Sequence, residues 1–118
     1  QHLHRRQHGH AVAVADEDRV VHHAAAVVAS NHLVALMGQV ERLADSVGVP
    51  LEAYLSLVRG AVDNVAELGP TAALTGPAAR GDELTIARHL AAIDPSERDA
   101  YRAMADQARR LVTTNGSN

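Results

Sequence analysis

Apolar residues recur along this chain at the three- and four-residue spacing of α-helices, and the longest such segment runs from Asp16 to Gly48. Asp16 is a suitable N-cap, and Gly48, followed closely by Pro50, marks the C-terminal end. Between Ala24 and Met37 apolar side chains point in almost every direction around the axis, which is typical of a helix covered on several sides. The pattern predicts a long helix at the centre of the fold.

Three shorter helices are predicted after this one. The first of them begins at Pro50 and ends at Gly69, and Gly60 in its middle indicates close contact with another helix. The next is capped by Asp82. Its inward positions are predicted to be Leu84, Ala87, Leu90 and Ala91. The last spans 95–112, where the sequence Asp94-Pro95-Ser96-Glu97 has the arrangement of a capping box.

These elements make the predicted fold class all-α, a helical bundle around a long central buried helix. The predicted organisation is an N-terminal tail over residues 1–15, a helical domain over 16–112 and a frayed C-terminus over 113–118. The tail carries His2, His4, His8 and His10, which could form a metal-binding tract. The alternative interpretation is a disordered tail or a mis-assigned start.

Composition narrows the classes of partner. The net charge is −3 and all eleven basic residues are arginines, so no concentrated basic face for nucleic acid is expected. No run of 18 uninterrupted apolar residues occurs, which makes a membrane span the poorer interpretation of the long helix. The absence of cysteine and of a signal peptide favours a cytoplasmic protein. Lysine-free, alanine- and arginine-rich usage suggests a bacterial gene.

His23 and Asn31 are the first pair of residues that could carry chemistry. They are eight residues apart, so on an α-helix they lie about 80° apart around the axis and about 12 Å apart along it. Both could border one groove, where the histidine could exchange a proton and the amide could hold a carbonyl or carboxylate. The alternative is that both hydrogen-bond to backbone in the core.

Thr75, Arg80 and Asp82 form a second cluster, in the segment LTGPAARGD. Thr75 offers a hydroxyl and Arg80 a guanidinium that can grip a carboxylate or phosphate. The alternative is a tight connector in which Arg80 pairs with a nearby acid. The chain contains no G-x-G-x-x-G, P-loop, HExxH or nucleophile elbow, so it lacks a dinucleotide site of its own.

Two segments carry a family resemblance: HHAAAVVASNHLVALMGQVERLADSVGVP, and LVRGAVDNVAELGPTAALTGPAARGD. They resemble the helical C-terminal domain of unknown function that follows a Rossmann-like domain in bacterial NAD(P)-dependent oxidoreductases. The resemblance covers roughly Asp16 to Leu111. It implies the superfamily of 6-phosphogluconate dehydrogenase C-terminal domains, in which ketopantoate reductase and pyrroline-5-carboxylate reductase use such domains to complete the substrate site and often to dimerise.

The resemblance also implies that the first helix borders the nicotinamide. In β-hydroxyacid dehydrogenases this helix carries a lysine four residues before an asparagine. Asn31 occupies the asparagine position, but Val27 replaces the lysine, so we hypothesise that His23 takes over its proton transfer. Thr75 and Arg80 are then expected to bind substrate.

The implied function is the C-terminal dimerisation and substrate-side domain of a Rossmann-type oxidoreductase, inactive alone. NADP or NAD would be bound mainly by a Rossmann domain supplied in cis or in trans, because none is present here. The expected partners are a second copy of the chain and a small substrate of the 2-oxo acid type, with no nucleic acid or membrane. The alternative is a non-catalytic helical homodimeric interaction module.

Overall fold

The computed structural model describes residues 14–116, with side chains through residue 112. All of its regular elements are helical, and no strand occurs in this range, so the all-α prediction is confirmed. In chain order they are a 3₁₀ turn Asp16–Asp18, α1 Arg19–Val27, a π-helical segment Val28–His32, α2 Leu33–Asp45, α3 Glu52–Leu68, α4 Pro70–Ala73, α5 Pro77–Arg80, α6 Glu83–Ala92, a 3₁₀ turn Pro95–Glu97 and α7 Arg98–Gly116.

The chain divides into two compact units, Gln1–Met37 and Gly38–Asn118, called here the N-terminal and C-terminal units. The predicted His-rich tail lies outside the described residues apart from its last two, which belong to no helix. At the other end α7 continues past the predicted limit at residue 112 as far as Gly116.

The N-terminal unit is helical from Asp16 onward and contains no buried residue in its described part. Val20 and Val34 are 79% and 71% exposed. The prediction that Ala24 to Met37 is buried is therefore wrong for the single chain. The physical reason is that an apolar helical surface must pack against another apolar surface. The sequence pattern does not say whether that surface belongs to the same chain or to another molecule.

By length and composition the helical run Asp16–Asp45, 30 residues long, could also cross a membrane. Core helices of soluble proteins pass the same test, so this property does not separate the two environments.

The core of the C-terminal unit is small and lies along α7, which contacts α4, α5 and α6. Among the described residues its buried apolar side chains are Ala44 and Ile86, 2% and 4% exposed. On α6 the predicted inward residue Leu84 is instead 63% exposed. The side of α6 that is buried therefore differs from the predicted side. A helix this short has too few apolar residues to mark its inward side clearly.

Helix α3 packs against α4 and has no buried residue along its length. Leu57 is 74% exposed, and a Cβ atom placed on Gly60 would meet nothing within 4 Å. The predicted close helix contact at Gly60 is therefore not made by the residues that the structure describes.

Both predicted aspartate caps form. The carboxylate of Asp82 accepts a hydrogen bond from the Thr85 backbone N–H at 3.1 Å, and that of Asp94 accepts one from the Ser96 N–H at 2.9 Å. Glu97 departs from the capping-box arrangement, because its carboxylate receives the guanidinium of Arg42 instead. That contact ties the end of α2 to the start of α7.

Candidate functional site

The π-helical segment Val28–His32 contains Asn31, the residue predicted to act on the substrate. A π-helix closes its turns with one residue more than an α-helix, and such segments are frequent at functional sites. The Ser30 hydroxyl donates to the carbonyl oxygen of Ala26 at 2.6 Å and lies 3.3 Å from Oδ1 of Asn31. The unusual turn thus coincides with the candidate asparagine.

The π-helical segment also changes the relation between His23 and Asn31. One extra residue turns the helix back by up to about 100°, the rotation that a residue adds in an α-helix. With such a residue between them, His23 and Asn31 would lie closer to a common stripe than plain α-helical spacing predicts. Both are exposed, so the alternative that they form hydrogen bonds within a core is not realised in the single chain.

Thr75 lies in the C-terminal unit, between two turns of the same design. Gly69-Pro70 begins α4 and Gly76-Pro77 begins α5, and both glycines have positive φ, 81° and 94°, with extended ψ. This backbone region is essentially restricted to glycine. The repeated Gly-Pro turn therefore fixes the path of the chain on both sides of Thr75, which remains exposed.

Arg80 is the last residue of α5 and is exposed. Its Nη2 lies 3.5 Å from Oδ2 of Asp82, whose carboxylate also accepts the Thr85 hydroxyl at 2.7 Å. The pKa of Asp82 is held below its ordinary value, first by the Thr85 hydroxyl and backbone N–H and then by Arg80. The pairing of Arg80 with a local acid is thus present, and the guanidinium keeps further donors for an anion.

The four predicted site residues fall into two pairs. His23 and Asn31 belong to the N-terminal unit, and Thr75 and Arg80 belong to the C-terminal unit.

The sequence did not predict the most buried polar cluster, which joins α2 to the start of α7. Arg42 grips Glu97 with two hydrogen bonds, Nε to Oε2 at 2.5 Å and Nη2 to Oε1 at 3.1 Å. Gln39 adds a hydrogen bond from Nε2 to the Glu97 carbonyl oxygen at 3.2 Å. The Arg42 guanidinium lowers the pKa of Glu97. Arg42 and Glu97 are 55 residues apart in sequence, so no local pattern links them. The one sequence signal for a buried polar cluster was Gln39, a polar residue among apolar positions of the helix.

A second polar contact joins α6 to α7. Nδ1 of His89 lies 2.7 Å from the Tyr101 hydroxyl, and the two rings meet edge to face with their centroids 5.7 Å apart. Burial raises the pKa of Tyr101. Arg109 on α7 adds a bidentate ion pair with Glu83 on α6, with Nη2 to Oε1 at 2.8 Å. These contacts hold the two helices together around Ile86.

No cluster of three or more metal-ligating side chains occurs in the part of the chain that the structure describes. The histidines of the tail, His2, His4, His8 and His10, lie outside it.

Comparison with known proteins identifies the family. The model of a family described as a domain of unknown function, DUF2520, matches residues 1–108 of the chain. The chain belongs to this family. No curated protein matches it by sequence.

One solved structure is similar to the chain, the "crystal structure of putative NADP oxidoreductase BF3122 from Bacteroides fragilis". The similarity has a TM-score of 0.73 at 30% sequence identity, and it covers 82% of this chain. The chain spans only 38% of the length of that protein. The family match and this structure together identify an oxidoreductase-associated helical domain, as the resemblance implied.

Proposed function

We propose that this chain is the dimerisation and substrate-side domain of a Rossmann-type NAD(P)-dependent oxidoreductase, of the superfamily typified by 6-phosphogluconate dehydrogenase. The observation that supports it most is the similarity to a protein described as an NADP oxidoreductase, of which the chain spans 38%. NADP or NAD would be held mainly by a Rossmann domain outside these residues. The reaction would take place in the cytoplasm on a small substrate of the 2-oxo acid type.

In this proposal the π-helical segment presents Asn31 to the substrate. His23, nearer the N-terminus of the same helical run, gives a proton to the developing alkoxide. NADP or NAD, if held by a Rossmann domain, would supply a hydride to the substrate carbonyl carbon, and a proton from this chain would complete the alcohol. In the C-terminal unit, Thr75 and Arg80 are separate candidates for binding a carboxylate, for which a guanidinium is well suited. His23 is exposed, as a proton donor that must exchange with solvent requires.

The test uses a chimera in which this chain replaces the matched segment of the Bacteroides fragilis protein. NADPH oxidation is followed with a panel of short 2-oxo acids. His23→Ala and Asn31→Ala are expected to lower kcat by at least about 100-fold, the usual contribution of a positioned acid, with little change in melting temperature. His22→Ala, one residue away on the same helix, is the matched control and should keep its turnover.

Turnover that is unchanged in both the His23 and Asn31 variants would exclude the proposed site. A chimera that folds, binds NADPH and reduces none of the acids would contradict the proposed substrate class.

A second candidate function is a non-catalytic homodimeric helical module. The exposed apolar side chains of the N-terminal unit favour it, because they need cover whether or not chemistry follows. The two candidates differ in cofactor response. A Rossmann partner that restores NADPH oxidation supports the oxidoreductase domain, whereas dimerisation without any such activity supports the module.

A further inference from the structure

A pocket of about 250 Å³ lies within the C-terminal unit, between α2, α5, α6 and α7. Most of its wall is apolar and comes from Ile86, Met104, Ala105 and Ala108. Met104 is 46% exposed, and its unbranched side chain can adapt to what it contacts. A concave apolar surface with few polar groups is the usual form of a small-molecule site.

One polar side chain in this wall is buried, and part of it has no partner among the residues that the structure describes. Gln39 lines the pocket and is only 9% exposed. Its Nε2 donates to the Glu97 carbonyl oxygen, and since that oxygen can only accept, the orientation of the amide is fixed. Oε1 of Gln39 then receives no hydrogen bond from the described part of the chain. A buried acceptor of this kind is costly unless a donor reaches it.

Another part of the pocket wall is held in place before anything binds. Tyr101 lines it, and the hydrogen bond and edge-to-face contact with His89 restrain the tyrosine ring. Thr75 supplies a second polar group at the edge of the pocket. A preformed wall reduces the entropy that a ligand must lose on binding.

We propose that this pocket binds a small aliphatic molecule that carries an uncharged N–H or O–H donor. The aliphatic body would pack against Ile86, Met104 and Ala108, and the donor would satisfy Oε1 of Gln39. A charged group would fit less well, because the walls offer it no counter-charge and Glu97 is already paired with Arg42. Apart from Thr75, which is also a proposed substrate-binding residue, the proposal uses residues of the C-terminal unit that have no role in the proposed redox function.

The experiment compares two probes of similar size on the full 118-residue chain. Isobutyramide carries the N–H donor, and methyl isobutyrate has the same aliphatic body without it. Methyl resonances of methionine and alanine are followed by NMR during titration. We expect saturable shifts at Met104 and Ala105, with the amide binding at least about fivefold more tightly than the ester, as one hydrogen bond to a buried acceptor allows.

Two variants locate the effect. Gln39→Met removes the acceptor at nearly constant volume and should abolish the preference for the amide, whereas Ala78→Leu should obstruct the pocket and weaken both probes. Arg42→Met is the control, because it disturbs Glu97 while leaving Gln39 in place, and it should keep the preference.

Several results would overturn the proposal. They are equal affinity for amide and ester in the unmodified chain, a preference that survives Gln39→Met, and the absence of saturable shifts at Met104. A fourth is a set of Met104 shifts that depends on protein concentration rather than on probe, since that would mean that a second copy fills the pocket. If Gln39→Met does not fold, the probe comparison and Ala78→Leu decide alone.

Discussion

In both units most of the apolar residues are Ala, Val and Leu, yet the two units use them differently. The C-terminal unit buries Ala44 and Ile86 and closes its small core with polar ties between helices. The described part of the N-terminal unit buries nothing, although most of its residues from Ala24 to Met37 are apolar. The comparison shows that an apolar pattern indicates which surface should pack against another one. The packing partner can belong to another molecule.

The largest effect is expected from a charge on the N-terminal helix. Val34 is 71% exposed in the single chain, so glutamate there would cost little if the surface stays in water. If a second copy covers it, an unpaired buried charge should raise the dimer dissociation constant by at least about 100-fold, measured by sedimentation velocity. Val47→Glu is the matched control, because Val47 is 70% exposed and lies in the C-terminal unit.

An unchanged dissociation constant for Val34→Glu would mean that this surface faces water in the assembled protein. A chain that is monomeric at all concentrations would contradict the proposed homodimer.

The next effect concerns the core of the C-terminal unit. Ile86→Ala should lower the free energy of unfolding by about 2–4 kcal/mol, because it removes apolar volume from a packed site. Leu84→Ala, on the same helix but 63% exposed, should change it by less than about 0.5 kcal/mol. Urea denaturation measures both. Equal losses would show that α6 buries a different side from the one described.

The ion pair of Glu97 should give the C-terminal unit a dependence on pH. Because its pKa is lowered in the folded state, the stability it contributes is present above the ordinary glutamate pKa, about 4.3, and is lost as pH falls through the folded value. The lowered pKa values of Asp82 and Asp94 act in the same direction. Melting temperature should therefore fall on acidification below about pH 4.5.

Glu97→Gln should melt several degrees lower than the unmodified chain at pH 7, and the difference should shrink toward pH 3. Glu83→Gln is the control, since its side chain is exposed and its partner Arg109 keeps Asp106. A difference that stays constant across this range would mean that the carboxylate charge of Glu97 does not contribute.

The smallest expected effect is on the free energy of unfolding, and it tests whether another molecule packs against α3. Gly60→Ala should raise the free energy of unfolding by about 0.5–1 kcal/mol, because alanine favours the helix and the new methyl group meets no atom of the described residues within 4 Å. Urea denaturation at low protein concentration measures this gain. A loss of stability at high concentration would instead show that a second molecule packs against Gly60.

Much of the fold was predictable from sequence because its signals are local. Asp82 and Asp94 precede their helices as caps, and the Gly-Pro pairs mark where α4 and α5 begin. The burial of Ile86 was not predictable. Helix α6 has only ten residues and carries apolar side chains on more than one side, so the sequence does not decide which side packs inward. The Arg42–Glu97 pair was missed because nothing local links residues 55 positions apart.

The candidate site shows the same division. The residue types and their spacing pointed to His23, Asn31, Thr75 and Arg80, but their roles stay predictions that the chimera can test. The π-helical segment at Asn31 had no sequence signal, since one additional residue in a turn leaves the apolar pattern of an already apolar helix unchanged.

The additional residue in the π-helical turn rotates the side chains that precede it relative to those that follow it. Deleting one residue of the π-helical segment, such as Val28 or Ala29, would restore plain α-helical winding, so side chains on its N-terminal side would swing by about 100° relative to α2. Natural insertions and deletions at this turn could thus re-aim His23 in one step, and relatives of different turn length would present different side chains to the same ligand.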